Sequence, residues 1–271
     1  MLTLLACSDF ALVHEKPVPE DTGDTDPIVD TDTMDTDTTD TDTTDTDTTD
    51  TDTTVPLECG KILIYSTEGD RGGNTGVFDG LRTDPALAGY DVELVEQATD
   101  GALTEVMLAG KSQLWVFGTW ADPGTTFELS QVSAIRDFVE AGYGVLLAGG
   151  GVDGGTDYTD DVNLLAQLWG VRYTDSYDEG EGALPIAGGA GPMANGVSTV
   201  PAFASTAELE IEDAAVNVAF RLGGHDAVAW REGDARIVFD RSWQGYTDDA
   251  RAVGDQAAYV ANVAGFLEPC P

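Results

Sequence analysis

Two runs of carboxylates set among glycines are the residues of this chain best placed to do chemistry. Glu68 and Asp70 lie in Glu68-Gly-Asp-Arg-Gly-Gly-Asn74, and Asp153, Asp157, Asp160 and Asp161 follow Gly149-Gly150-Gly151. Clustered carboxylate oxygens suit a hard cation such as calcium. Two carboxylates can instead serve as acid and base on a glycoside. Trp120, Tyr158, Trp243 and Tyr246 stand in loops or just after apolar runs, where their rings could hold a sugar. Main-chain N–H groups of glycine-rich turns can also bind anions, but the neighbouring acids oppose that use. Against these readings stands a plainer one: solvated loop acids, with Asp160 or Asp161 capping the next helix and the aromatics packed in the core. The chain has 50 acids, so finding a candidate pair carries almost no weight, and the plainer reading is the stronger. His225, in Leu-Gly-Gly-His-Asp-Ala-Val between two predicted strands, reads as a surface residue rather than a base.

Residues so far apart form a site only if the fold brings them together, and the hydrophobic pattern says how. KILIYS (61–66), DVELVE (91–96), QLWVFG (113–118) and GVLLAG (144–149) are short apolar runs that read as buried strands. Between them, Val77, Phe78 and Leu81 suggest a helix, and residues 102–109 a short one. Residues 129–141 suggest a longer helix, with Val132, Ile135, Phe138 and Val139 as its stripe, Ser130 as cap and Gly142 as stop. Residues 161–169 read as a further helix closed by Gly170. The stretches 208–212, 215–222, 227–231 and 235–240 look like successive strands on short turns, an antiparallel extension or edge. Residues 252–267 form a closing helix. Strand–helix alternation of this kind indicates an α/β fold with a mostly parallel sheet covered on both faces. Ligands of such open sheets bind in the crevice outside the carboxyl ends of the strands. Loops 67–74, 119–128 and 149–160 would line it, and two of them hold the carboxylates.

Charge is unevenly spread. The chain carries a formal net charge of −38. Residues 1–58 hold 17 acids and one base, Lys16, which leaves 33 acids and 11 bases for residues 59–271. A net −22 on that part repels nucleic-acid phosphates and anionic lipid heads, so DNA and RNA are excluded as partners. From Asp30 to Thr54 a five-residue unit repeats, Asp-Thr-Asp-Thr-Met once and Asp-Thr-Asp-Thr-Thr four times. Apart from Met34 it has nothing apolar to bury, and its like charges recur every two or three positions. Residues 8–57 are therefore expected to be a disordered tether, reaching ~165 Å when fully stretched. The repeat lacks the turn glycine and bidentate Glu of a calcium loop. Residues 58–271 suffice for one domain core, and no stretch is long and apolar enough to span a bilayer as a helix.

The order KILIYS, VELVE, QLWVFGT and AIRDFVEAGYGVLLAGGG resembles the class I glutamine amidotransferase-like superfamily. NLLAQLWGVRY, GPMANGV, ARIVFDRSW and AAYVANVAGFL extend the likeness over most of residues 60–268. The resemblance implies a flavodoxin-like sheet with helices on both faces, to which the antiparallel strands are added. Catalytic members of that superfamily place a Cys nucleophile on the tight turn after the strand matching Val145–Ala148, with a His and a carboxylate later. That chemistry needs a thiolate, a base and donors for the oxyanion. Here the turn reads Gly149-Gly150-Gly151, without Cys, Ser or Thr, and Cys59 and Cys270 lie outside the pattern. The resemblance thus implies the fold without the amidotransferase activity.

Leu4-Leu5-Ala6-Cys7 resembles the lipobox of bacterial lipoproteins, in which the Cys receives a diacylglyceryl group and becomes the mature N-terminus. Six residues before Cys7 are too few for a signal peptide, so the true start is expected upstream. Ser8, and not Asp, follows Cys7, which by resemblance favours the outer membrane. With Cys7 acylated, Cys59 and Cys270 remain as a thiol pair in an exported protein, the setting where disulfides persist. The flavodoxin-like plan brings the first strand close to the last helix, so a Cys59–Cys270 bridge is expected. The whole sequence therefore reads as a lipid-anchored, non-catalytic binding or scaffold domain at the cell envelope. It needs no cofactor in this reading, with calcium as the candidate ion and a glycan or envelope protein as partner. A carboxylate-dependent hydrolase acting on a glycan is the alternative.

Overall fold

A computed structural model describes residues 59–67, 76–118, 127–150, 152–153, 156–157, 159–177, 179–180, 182–203 and 206–270. Cys7 and the repeat region lie outside the described residues. The four apolar runs form β1 (Lys61–Ser66), β2 (Asp91–Glu96), β3 (Gln113–Phe117) and β4 (Gly144–Ala148). Then come the two-residue strands β5 (Val152–Asp153) and β6 (Thr156–Asp157), followed by β7 (Val171–Tyr177), β8 (Ala183–Pro185) and β9 (Thr199–Pro201). The last four strands are β10 (Thr206–Ile211), β11 (Val216–Leu222), β12 (His225–Glu232) and β13 (Arg236–Asp240).

Seven strands make the main sheet, in the order β11-β12-β13-β4-β3-β1-β2. From β2 to β13 every pairing is parallel, and β12 and β11 then add antiparallel. The parallel part has its first strand between its second and third, with β4 and β13 following, which is the flavodoxin-like order. The antiparallel extension is thus β11 and β12. Its last expected member, β13, enters the sheet parallel to β4, and its first, β10, leaves the sheet to pair with β7.

The strands bury both faces, so their residues sort by alternation. Ile62, Ile64, Trp115, Phe117, Leu146 and Val238 face one layer, closed by helix α5 (Gln256–Leu267). Leu63, Tyr65, Leu114, Val116, Leu147 and Phe239 face the other, under α3 (Leu129–Glu140), α4 (Asp160–Ala166) and the β7–β10 ribbon. Each such side chain contributes roughly 1.5–3 kcal/mol on burial, which outweighs weak helix ends. Accordingly α5 holds without a side-chain cap because Tyr259, Val260, Val263 and Leu267 are buried.

Local details differ from the sequence reading where short-range chemistry decides. The helix expected around Val77–Leu81 is a 3-10 turn, Asp79–Thr83, ended before Pro85. The expected short helix over 102–109 is a single turn, α2 (Glu105–Leu108), preceded by another, α1 (Gln97–Asp100). Ser130 does not cap α3: Glu128 does, sharing reciprocal side-chain bonds with Gln131. At α4 the N-cap position belongs to Thr159 rather than to Asp160 or Asp161. Its last turn tightens over Gln167–Trp169 and ends on Gly170, whose φ of +71° suits glycine.

Candidate functional site

The carboxyl edge of the parallel strands is where this fold offers a crevice. Ser66 and Thr67 leave β1 there, Gly118 leaves β3, Gly149 and Gly150 leave β4, and Arg241, Ser242 and Trp243 leave β13. Glu68, Asp70, Trp120, Gly151 and Tyr158 lie outside the described residues. Asp153 and Asp157 belong to the β5–β6 hairpin, and Asp160 and Asp161 to the first turn of α4. Their carboxyl groups are outside the description as well.

The glycines at this edge are sites of close approach. Gly149 donates its N–H to the Asp240 carbonyl at 3.0 Å and accepts from the Trp243 N–H at 2.7 Å, which stitches β4 to β13. A Cβ at Gly149 would fall 2.6 Å from Cδ1 and Cε1 of Tyr173, one at Gly150 would fall 3.0 Å from the Trp243 Nε1, and one at Gly118 would meet Val162 at 2.1 Å. Tyr173 cannot easily yield. Its hydroxyl donates to the Leu147 carbonyl at 2.6 Å, and the Asn163 amide holds its main chain on both sides. A side chain at Gly149 would therefore have no room beside Tyr173.

Beside it lies a buried polar cluster that the sequence reading did not single out. Asp240 is 2% exposed, and its Oδ2 accepts from Tyr259 at 2.6 Å and Tyr246 at 2.9 Å. Its Oδ1 accepts from the Ser242 N–H at 3.1 Å. Burial pushes the Asp240 carboxyl above its ordinary value, against the opposing pull of Arg241 and of these donors. Burial and the nearby Asp240 charge likewise push the Tyr246 and Tyr259 hydroxyls well above theirs. Arg241 forks onto Glu179, with Nε 2.6 Å from Oε1 and Nη2 3.0 Å from Oε2, and also donates to the Pro201 carbonyl at 3.0 Å. Glu179 and Pro201 stand at either end of the excursion that carries β8 and β9, so Arg241 pins both of its ends to β13. The cluster is sealed and saturated with internal partners, and its arrangement is that of a clasp. Its one trace in the sequence is the Asp-Arg pair closing the apolar run Ile237–Phe239.

Trp243 and Tyr246 do not form a sugar platform. Tyr246 is fully buried and stacks on Phe117 with centroids 5.0 Å apart, and Trp243 packs edge-on against Phe78 at 5.9 Å. His225 opens β12 at this same end of the sheet but two strands away from β4. Its Nδ1 lies 3.1 Å from Glu208, with both side chains about half exposed. Among the described residues, one trio of metal-ligating types converges, Cys59, Glu268 and Cys270. A disulfide consumes both of its sulfurs: the expected Cys59–Cys270 bridge is present, with Cα atoms 5.9 Å apart. It sits at the amino edge, opposite the crevice. There Glu268 Oε2 also accepts from the Gly60 N–H at 3.1 Å and from Ser112 and Gln113 at 3.2 Å.

No family model matches the chain, and no curated protein matches its sequence. Solved structures do share its fold. The mmIFT52 N-terminal domain superposes with a TM-score of 0.57 at 11% identity, covering 74% of this chain and 94% of that one. A cytoplasmic protein from Salmonella typhimurium gives 0.56 at 15% identity, over 77% and 99%. A putative ThuA-like protein from Bacteroides uniformis gives 0.51 at 14%, over 75% and 89%. At such identities the likeness is one of fold alone, an α/β fold shared with these proteins.

Proposed function

We propose that this chain is a non-catalytic binding or scaffold domain of amidotransferase-like fold, held at the bacterial cell envelope by a lipid on Cys7 and the Asp/Thr tether. The observation that carries the non-catalytic reading is the contact at Gly149: a side chain there would lie 2.6 Å from the Tyr173 ring. A thiol enzyme of this fold needs a side chain at that turn. The anchoring half of the reading is supported by the Leu4–Cys7 motif followed by the repeat.

The test is turnover by the full chain on glutamine, simple esters and a panel of glycans, with and without calcium. The expected result is none above the uncatalysed rate. Glycan turnover abolished by Asp157→Asn or Asp161→Asn would replace this reading with the carboxylate hydrolase. Anchoring is tested separately, by labelled-palmitate incorporation in a bacterial host with a complete leader supplied. Cys7→Ser should release the protein from the membrane fraction, and unchanged fractionation counts against the lipid.

A further inference from the structure

An edge strand offers a row of unpaired main-chain groups with which another chain can pair. Among the described residues, β2, β7, β10 and β11 stand at edges and are six or seven residues long, and on β10 the Ala207 N–H donates to the Arg241 carbonyl at 3.3 Å. At β7 the main chain of Tyr173 turns away from β10, and Asn163 on α4 meets it. The side-chain amide accepts from the Tyr173 N–H at 2.7 Å and donates to its carbonyl at 2.8 Å. A carboxamide carries the donor and acceptor of a peptide unit, so Asn163 stands where the next strand would. At β11 the segment after β8 does the same with its backbone. Ala187 and Arg221 exchange two bonds at 2.9 Å, and the Ala190 N–H donates to Ala219 at 2.7 Å.

At β2 the guard is made of side chains. The Asp91 N–H bonds inward to Gly60, so by alternation Val92, Leu94 and Glu96 turn their main-chain groups outward. The Glu96 N–H donates to Asp100 Oδ2 at 2.9 Å, and Arg82 Nη2 lies 3.5 Å from the Leu94 carbonyl. Arg82 and Asp100 are both exposed, so neither is there to fill the core.

We propose that Asn163, Asp100 and Arg82 are edge guards, which occupy outward main-chain groups and keep a second copy of this domain from adding a strand. The inference concerns the folded domain and holds whether or not the chain is lipid-anchored. Net charge also keeps copies apart, so the test must remove that effect. In about 1 M salt the screening length falls to ~3 Å.

Sedimentation equilibrium of the full chain in that salt is the experiment, with thermal melting recorded beside it. The native protein should stay monomeric, while Arg82→Ala/Asp100→Ala should self-associate at least about tenfold more tightly. Adding Val92→Pro, which deletes an outward N–H, should return that variant to monomer. Asp100→Ala alone replaces the double variant if the latter does not melt cooperatively. The proposal is overturned if the native chain associates once its charge is screened, if the folded guard variant stays monomeric, or if its association survives Val92→Pro.

Discussion

At Gly149 packing leaves no room for a side chain, because a Cβ there would lie 2.6 Å from the Tyr173 ring. Gly149→Cys should gain no glutaminase turnover and should lose about 1–3 kcal/mol to overpacking against Tyr173, read by urea unfolding. Asp240 gives a second prediction. Its raised carboxyl means that the folded state binds this proton more tightly than the unfolded one. Its contribution is therefore complete below the ordinary Asp value and is lost as pH rises through the raised one. Stability of the native protein relative to Asp240→Asn should fall as pH climbs from about 3.5 towards 7; a flat difference is the contrary result. The end of β4 at Gly149 and Gly150 was legible in the sequence, since both follow its apolar run. Asp240, Arg241 and Glu179 were not, because in a chain with 50 acids nothing marks the one that is buried. Burial of a charge is decided by partners distant in sequence, here Tyr259 for Asp240 and Glu179 for Arg241.

Among the elements, Gln131 joins two levels of structure. Its Oε1 accepts from the Glu128 N–H to start α3, and its Nε2 donates to the Tyr65 hydroxyl in the core, each at 3.0 Å. Gln131→Ala should cost about 1–3 kcal/mol in a thermal or urea melt, as the sum of a lost cap and a lost buried hydrogen bond to Tyr65, whose hydroxyl keeps the Leu103 N–H at 3.2 Å. The bridge at the amino edge should matter more. Closing a loop of this length sets a ceiling of about 5 kcal/mol, and Cys59→Ser/Cys270→Ser should realise only part of it, because Glu268 still clips α5 to β1 and β3. The four parallel strands were readable from their apolar runs, as was the final helix. The partners of β10 and β13 were not, since alternation tells which face a residue takes and says nothing about which strand lies beside it.

Over the whole molecule, charge sets the terms. Exposed pairs such as Arg136–Glu140 and Arg172–Glu210 are worth at most about 1 kcal/mol each and weaken in salt. With 33 acids against 11 bases in residues 59–271, like-charge repulsion outnumbers them. Raising NaCl from about 10 mM to about 150 mM shortens the screening length from ~30 to ~8 Å, and the melting temperature should rise; a fall would mean that the ion pairs win. This property was fully legible, because net charge needs no coordinates.

The bridge also removes any privileged starting point from the fold. With the Cα atoms of residues 59 and 270 only 5.9 Å apart, one or two linking residues could span the gap as a peptide. The domain is in effect a ring that has been cut once. Joined at that point and reopened in the exposed Gly223-Gly224 turn between β11 and β12, a circular permutant should keep the same sheet order. In the native cut, residues 59 and 270 both lie at the amino edge of the sheet, a full strand length from its carboxyl edge.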